Sequence, residues 1–318
     1  MVVRAERQTG SGGQPDHRPD ITGLRGLAVV ALLLTSAGVG GLPGGVVAVD
    51  IFLVVSGFLL TATLLPEWIR TGAVSLPGFY ARSARRLLPT AALVLAVSLV
   101  LALLLLPEAR WAQTGWDLLA TGLTGLHWRL AERGVTPVLP DPTAGILAHY
   151  WVLGVAGQFI LLWPLLFVGV ATWAVRRRGL GLRRPLLITL GVLGLASLAW
   201  SVQLTTTDPT RAHLAATARF WEFALGGGLA LLGARLHRLP GRFAAALGWS
   251  GLATVVVAVC TVRPGAHHLG YATLFTALGT AAIIAAGAGR GGPAVLLGRR
   301  PLRAVGALAY PLYLWHWP

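Results

Sequence analysis

The sequence is short of charge. Charged residues fill 12% of its 318 positions, about half the share of an ordinary soluble domain. Lysine is missing altogether, so all 26 basic residues are arginine, set against 11 acids. A single cysteine, Cys260, excludes an intrachain disulfide and a thiolate metal site. The eight histidines show no metal-ligand spacing. There is also no phosphate-binding loop, dinucleotide fingerprint or zinc-protease helix, so no metal is expected. The opening MVVRAERQTGSGGQPDHRPD has no apolar stretch of the kind a cleaved signal requires. It is polar and rich in Gly and Pro, and reads as a disordered cytoplasmic tail over residues 1–20.

Apolar residues fill the space that charge leaves. They are 55% of the chain, mean hydropathy is +0.70, and they come in long blocks such as AALVLAVSLVLALLLL (91–106). Blocks of this length suit a bilayer, which takes about 20 residues per helical span. The class is therefore an all-α, polytopic transmembrane helix bundle with about nine to ten membrane helices. Candidate spans are 22–39, 47–65, 87–106, 146–174, 185–203, 216–234, 244–262, 270–289 and 302–318.

The net charge of +15 sits as arginine clusters between these blocks, the pattern of cytoplasmic loops rather than of a nucleic-acid-binding face. With the N-terminus inside, four clusters fall inside together: Arg70/Arg82/Arg85/Arg86, Arg176–Arg178/Arg183/Arg184, Arg235/Arg238/Arg242 and Arg290/Arg299/Arg300/Arg303. That holds only if WAQTGWDLLATGLTGLHWRL (111–130) does not cross, so it is expected to be interfacial or re-entrant.

Ionisable side chains inside apolar spans are costly unless paired or functional. Arg25, Asp50, Arg219 and Glu222 are such residues. Arg219 and Glu222 are three apart, on one helix face and within mutual reach; they form either a structural ion pair or part of a polar cavity. Asp50 has no local partner, and Arg25 is the natural one across a short hairpin. Arg25 and Ser36 share a helix face roughly 16 Å apart. Ser56-Gly57 reads as a site of close helix packing more readily than as a nucleophile. The arginines of GFYARSARRLLP (78–89) either set topology and attract anionic lipid or grip a phosphorylated ligand. His149 and His316 lie beside tryptophans near helix ends, and His267 and His268 in a surface loop.

Six segments, in order, resemble one family. ITGLRGLAVVALL, LPGGVVAVDIFLVVSGFLLT, GAVSLPGFYARSARRLLP, HYWVLGVAGQFILLWPLL, TARFWEFALGGGLALL and GRRPLRAVGALAYPLYLWHWP are similar to the acyltransferase 3 family, integral membrane O-acyltransferases that modify surface polysaccharides. The resemblance covers residues 21–318 as one transmembrane domain. It implies a multi-pass protein of the bacterial plasma membrane with a cytoplasmic N-terminus. It implies a cytoplasmic acyl-CoA co-substrate, such as acetyl-CoA, with no bound cofactor. The acceptor would be a glycan or a lipid-linked molecule in contact with membrane lipid. Arg25, Asp50, Ser56, Gly57, Arg82, Arg85, Arg86, Glu222, Tyr313 and His316 fit the family pattern. By that carry-over Arg25, Asp50 and the Ser36 position are catalytic, and Arg82, Arg85 and Arg86 bind the donor. Ser56, Arg219, Glu222, His149 and His316 would line the cavity.

The chain also departs from the pattern. The family's first helix has an arginine, ten residues and a histidine that acts in acyl transfer; here the histidine position is Ser36, whose hydroxyl is no base near neutral pH. Where the family reads Ser-Val-Glu-Glu, this chain has Gly154, Val155, Ala156 and Gly157, followed by Gln158 and Phe159. The asparagine of an Asn-Trp pair is His127. Loss of a base removes about 10²–10⁴ in rate. Two readings stay open: a working transferase with a rearranged base, His127 or His149 among the candidates, and a catalytically impaired homologue or fragment with a binding or partner role. A small-molecule transporter is weaker. Many members carry a further pair of spans and an extracytoplasmic SGNH-type domain; this chain stops within LWHWP, and the C-terminus reads as incomplete.

Overall fold

A computed structural model describes residues 18–39, 42–135, 144–178, 181–263, 269–287, 289 and 291–317. The expected tail (1–17 of it), His267, His268 and Arg290 lie outside the described residues. All regular structure among the described residues is helical. The helices are α1 (Pro19–Ser36), α2 (Ala48–Thr71), α3 (Leu76–Leu105), α4 (Trp111–Gly122), α5 (Leu126–Glu132), α6 (Trp151–Arg178) and α7 (Arg183–Thr207). They continue with α8 (Pro209–Leu214), α9 (Ala216–Leu236), α10 (Gly241–Thr261), α11 (Leu269–Ala286), α12 (Ala294–Leu297), α13 (Arg300–Ala307) and α14 (Ala309–Trp315).

Among the described residues six helices are long and apolar enough to cross a membrane: α1, α2, α3, α6, α7 and α10, with α11 shorter. The chain is a polytopic α-helical membrane protein. α9 has the length of a span, but Arg219 and Glu222 in its first turns lower its hydropathy; the bundle interior covers both. The expected last span, 302–318, is instead broken at Leu308 into α13 and α14. The segment 111–130 forms two helices of 12 and 7 residues, each too short to cross. Thr124, at φ 57°, turns the chain between them. Asp117 pins the hairpin by accepting from Arg129 at 2.6 Å and Arg133 at 3.2 Å.

Residues 78–89 are not a loop: they are helix, the opening turns of α3. Ser75 caps that helix by accepting from the Gly78 N–H, Pro77 sits where a missing N–H costs nothing, and the helix runs on through Pro89. Proline is tolerated within membrane helices because neighbouring groups satisfy the freed backbone.

Two glycines set a close crossing of α2 and α9. A Cβ on Gly57 of α2 would strike the Phe223 carbonyl of α9, and one on Gly226 would strike the Val54 carbonyl. Backbone contact of this kind is how membrane helices replace a hydrophobic driving force with van der Waals packing. One end of the bundle gathers Arg18, Pro66, Arg183, His237, Gly241 and Ala286 around a crevice of about 690 Å³. It therefore holds the starts of α1, α7 and α10 and the ends of α2, α9 and α11. At the opposite end Thr35 and Leu42 meet exposed Cys260 and Arg263.

Candidate functional site

Between several helices lies a cavity of about 420 Å³ that opens to the surface past the exposed Arg86, Leu88 and Ala92 of α3. α2 presents Phe52, Val55, Ser56 and Leu59, spaced i, i+3, i+4, i+7 as one helical stripe requires. α3 contributes Ser83, Arg86, Leu87 and Ala91, and α6 contributes Leu153, Ala156, Gly157 and Ile160 in the same rhythm. Thr121 and Thr124 of the α4–α5 hairpin close it on one side, Tyr310 and Tyr313 of α14 on another, and Arg25 of α1 reaches in.

Arg25 and Arg86 are the charged groups of the lining. Arg86 is the charged side chain that acts electrostatically on Arg25. Among the described residues neither guanidinium has an ion-pair or hydrogen-bond partner. Arg25 is half-buried and Arg86 exposed; guanidinium groups are the chemistry that grips phosphate or carboxylate through paired N–H donors.

The cavity tyrosines do not offer their hydroxyls to a ligand. Tyr150 donates to the Ala91 carbonyl at 3.1 Å, Tyr310 to Leu87 at 2.9 Å and Tyr313 to His149 at 2.5 Å. Leu87 and Ala91 are one turn apart on α3, so two of these bonds tie α14 and the start of α6 to the cavity face of that helix. The sequence reading gave these bonds no role; the signal was the paired tyrosines of YPLY and the HY step at 149–150.

Asp50 does not pair with Arg25. It accepts from the Nη2 of Arg219, which also donates to Glu222 at 3.0 Å. The triad is buried, at 3% or less exposure for each residue. The reason is axial position: Asp50 lies in the first turn of α2, just past the hairpin, whereas Arg25 lies three turns before the end of α1. Arg219 and Glu222 are thus part of a closed ion cluster between α2 and α9, not of the cavity lining. A buried carboxylate in the membrane needs such a partner, and Glu222 Oε1 is left without one.

Of the other candidates, Ser56 and Arg86 line the cavity. Arg82 turns to the surface, where it meets Glu67 at 3.4 Å, and Arg85 is exposed. Ser36 is exposed at the end of α1 and outside the lining. His149 is buried and uses Nε2 on the Leu314 carbonyl at 3.1 Å; His316 uses Nδ1 on the Tyr313 carbonyl. Both stand behind the tyrosine wall, with ring centroids 5.7 Å apart. His127 is buried beneath the hairpin turn, and its Nδ1 occupies the space a Cβ on Gly154 would need. Burial pushes this imidazole down to about 4, so it is neutral at physiological pH. The described residues hold no group of three metal-ligating side chains.

A multi-helix membrane domain with an open, mostly apolar cavity lined in part by two arginines is the class that fold and site define. The chain belongs to the acyltransferase 3 family: the family's acyltransferase domain matches residues 18–318. It is 30% identical over 320 residues to the peptidoglycan O-acetyltransferase OatA of Listeria monocytogenes, covering 94% of this chain and 49% of that protein. It is 29% identical to O-acetyltransferase OatA of Staphylococcus aureus, covering 96% and 51%. It is 30% identical to the putative peptidoglycan O-acetyltransferase YrhL of Bacillus subtilis, covering 95% and 49%. The chain spans about half the length of these curated relatives. No solved structure matches it.

Proposed function

We propose that this chain is a membrane O-acyltransferase of the bacterial plasma membrane, moving an acyl group from a cytoplasmic acyl-CoA to a cell-wall glycan hydroxyl. The observation that carries this is the unpaired Arg25–Arg86 pair at the edge of an apolar cavity, which suits the phosphates of a CoA ester at one end and its acyl group at the other. The relatives named above act, by their names, on peptidoglycan. In the transfer, the glycan oxygen attacks the thioester carbonyl and the C–S bond breaks. The hydroxyl proton ends on the CoA thiol.

The arginine-lined end of the bundle faces the cytoplasm in this reading, as the positive-inside rule requires, and the N-terminus with it. Within the membrane Arg25 and Arg86 hold the donor, the tyrosine wall fixes α3 against α6 and α14, and Ser56 offers the lining a free-standing hydroxyl. The second reading, a homologue that binds the donor but transfers slowly, is favoured by one feature: the described lining contains no histidine and no carboxylate.

The test is acyl transfer from labelled acyl-CoA to glycan by the purified chain in nanodiscs. Arg25→Ala is expected to lower kcat/KM about 10- to 100-fold, the range of one lost charge-assisted hydrogen bond. Transfer at an undiminished rate by Arg25→Ala overturns the site. Donor binding that depends on Arg25 without any transfer establishes the second reading instead.

A further inference from the structure

The end of α4 is closed by a pair of backbone bonds. The Gly125 N–H donates to the Ala120 carbonyl at 2.7 Å and the Thr124 N–H to the Thr121 carbonyl at 3.0 Å. This is the Schellman motif, whose left-handed residue is usually glycine because a side chain there is strained. Here it is Thr124, at φ 57°, although glycines stand close by at 122 and 125. Every other positive φ among the described residues belongs to a glycine: Gly38, Gly72, Gly134, Gly145, Gly287 and Gly291. A β-branched residue in this conformation is a true outlier, and strain of this kind collects where a site uses the side chain.

Helix α6 makes room for that side chain. A Cβ on Gly157 would lie 2.9 Å from Thr124 Cγ2, and one on Gly154 would lie 3.2 Å from the Thr124 carbonyl oxygen. The methyl group therefore packs on α6. The Thr124 hydroxyl has no hydrogen-bond partner among the described residues, whereas that of Thr121 is spent on the Asp117 carbonyl at 2.7 Å. Both threonines line the cavity. The hairpin that carries them joins the end of α3 to the start of α6. The crevice end of the bundle holds the end of α2, and with it the start of α3, so Thr124 comes to the cavity from the opposite end. In the proposed topology that is the cell-wall side. A neutral hydroxyl suits a sugar hydroxyl as both donor and acceptor, while the guanidiniums of Arg25 and Arg86 suit the anionic donor.

From this we infer that Thr124 contacts the acceptor: its hydroxyl, presented to the cavity by a strained turn, hydrogen-bonds a hydroxyl of the incoming glycan. This rests on the transferase reading above and deepens it by naming the group that meets the acceptor.

The experiment is equilibrium binding of two probes to the purified chain in nanodiscs, a soluble peptidoglycan disaccharide-peptide and acetyl-CoA, together with thermal unfolding. Thr124→Val keeps the shape and the strain and removes the hydroxyl. It is expected to weaken binding of the fragment about three- to tenfold, the range of one neutral hydrogen bond, and to leave acetyl-CoA binding unchanged. Thr124→Ser keeps the hydroxyl and is expected to bind the fragment within about twofold of the original chain. Thr124→Gly relieves the strain; it is expected to melt no lower than the original chain while binding the fragment as poorly as the valine variant. Undiminished fragment affinity in Thr124→Val overturns the inference, as does an equal loss of acetyl-CoA affinity, which would put the hydroxyl on the donor. A lowered melting temperature in Thr124→Gly with fragment binding intact also overturns it, because the side chain would then serve packing alone. If the fragment binds through Thr124 and no acyl group is transferred, the transferase reading falls and this contact stands. If acetyl-CoA binds through Arg25 and the fragment does not bind, this contact alone falls.

Discussion

Arg25 shows how one residue's setting is decided by height along a helix. It and Asp50 are neighbours in the α1–α2 hairpin by sequence, yet Asp50 is committed to Arg219 and Arg25 keeps its charge for the cavity. The exchange between His127 and Gly154 works at the same scale. The imidazole fills the volume a side chain at 154 would take, so the two positions constrain each other. Gly154→Ala is expected to destabilise the protein by about 1–3 kcal/mol, as overpacking does. Adding His127→Ala is expected to recover most of that loss, since the space reopens. Thermal or denaturant unfolding of the single and double variants in nanodiscs checks this; strictly additive losses would mean the two residues do not share the volume.

Among the elements, α2 and α9 hold the bundle together by approaching at Gly57 and Gly226 while burying the Asp50–Arg219–Glu222 triad between them. Gly57→Leu is expected to separate these helices. It should lower stability by more than the same substitution at Gly228, where an added Cβ meets nothing within 4 Å. Comparable losses at both positions would contradict close crossing as the cause. Much at this scale was legible beforehand: apolar runs placed α1, α2, α6, α7 and α10, and Ser56-Gly57 read as a packing site. Two things were not. The arginine cluster at 82–86 looks like a loop because charge and Pro89 interrupt the apolar pattern, but a Ser75 cap and the membrane's demand for satisfied backbone make it helix. The pairing of Asp50 with Arg219, 169 positions apart, depends on which helices touch, and one chain's periodicity carries no record of that. The same limit hid the tyrosine wall.

For the molecule as a whole, charge and cavity divide the labour. Arginine-bearing helix ends collect around the crevice of Arg18, Arg183 and His237, the end that the proposed topology turns to the cytoplasm. The unpaired Arg25 and Arg86 sit apart from it, at the cavity. Arg18 is already held by Asp20 at 2.7 Å and by the Ile284 carbonyl at 3.2 Å, so the crevice has less positive charge to spare than the cavity. The proposed function therefore turns on where the donor binds. Photo-crosslinking with an acyl-CoA bearing a diazirine on its acyl chain, read by peptide mass spectrometry, tests this directly. Crosslinks are predicted on the cavity residues of α2, α3 and α6, such as Leu59, Ala91 and Ile160, and should disappear with Arg25→Ala. Crosslinks on the crevice residues Leu229, Ala244 or Ile284, unchanged by Arg25→Ala, would contradict it.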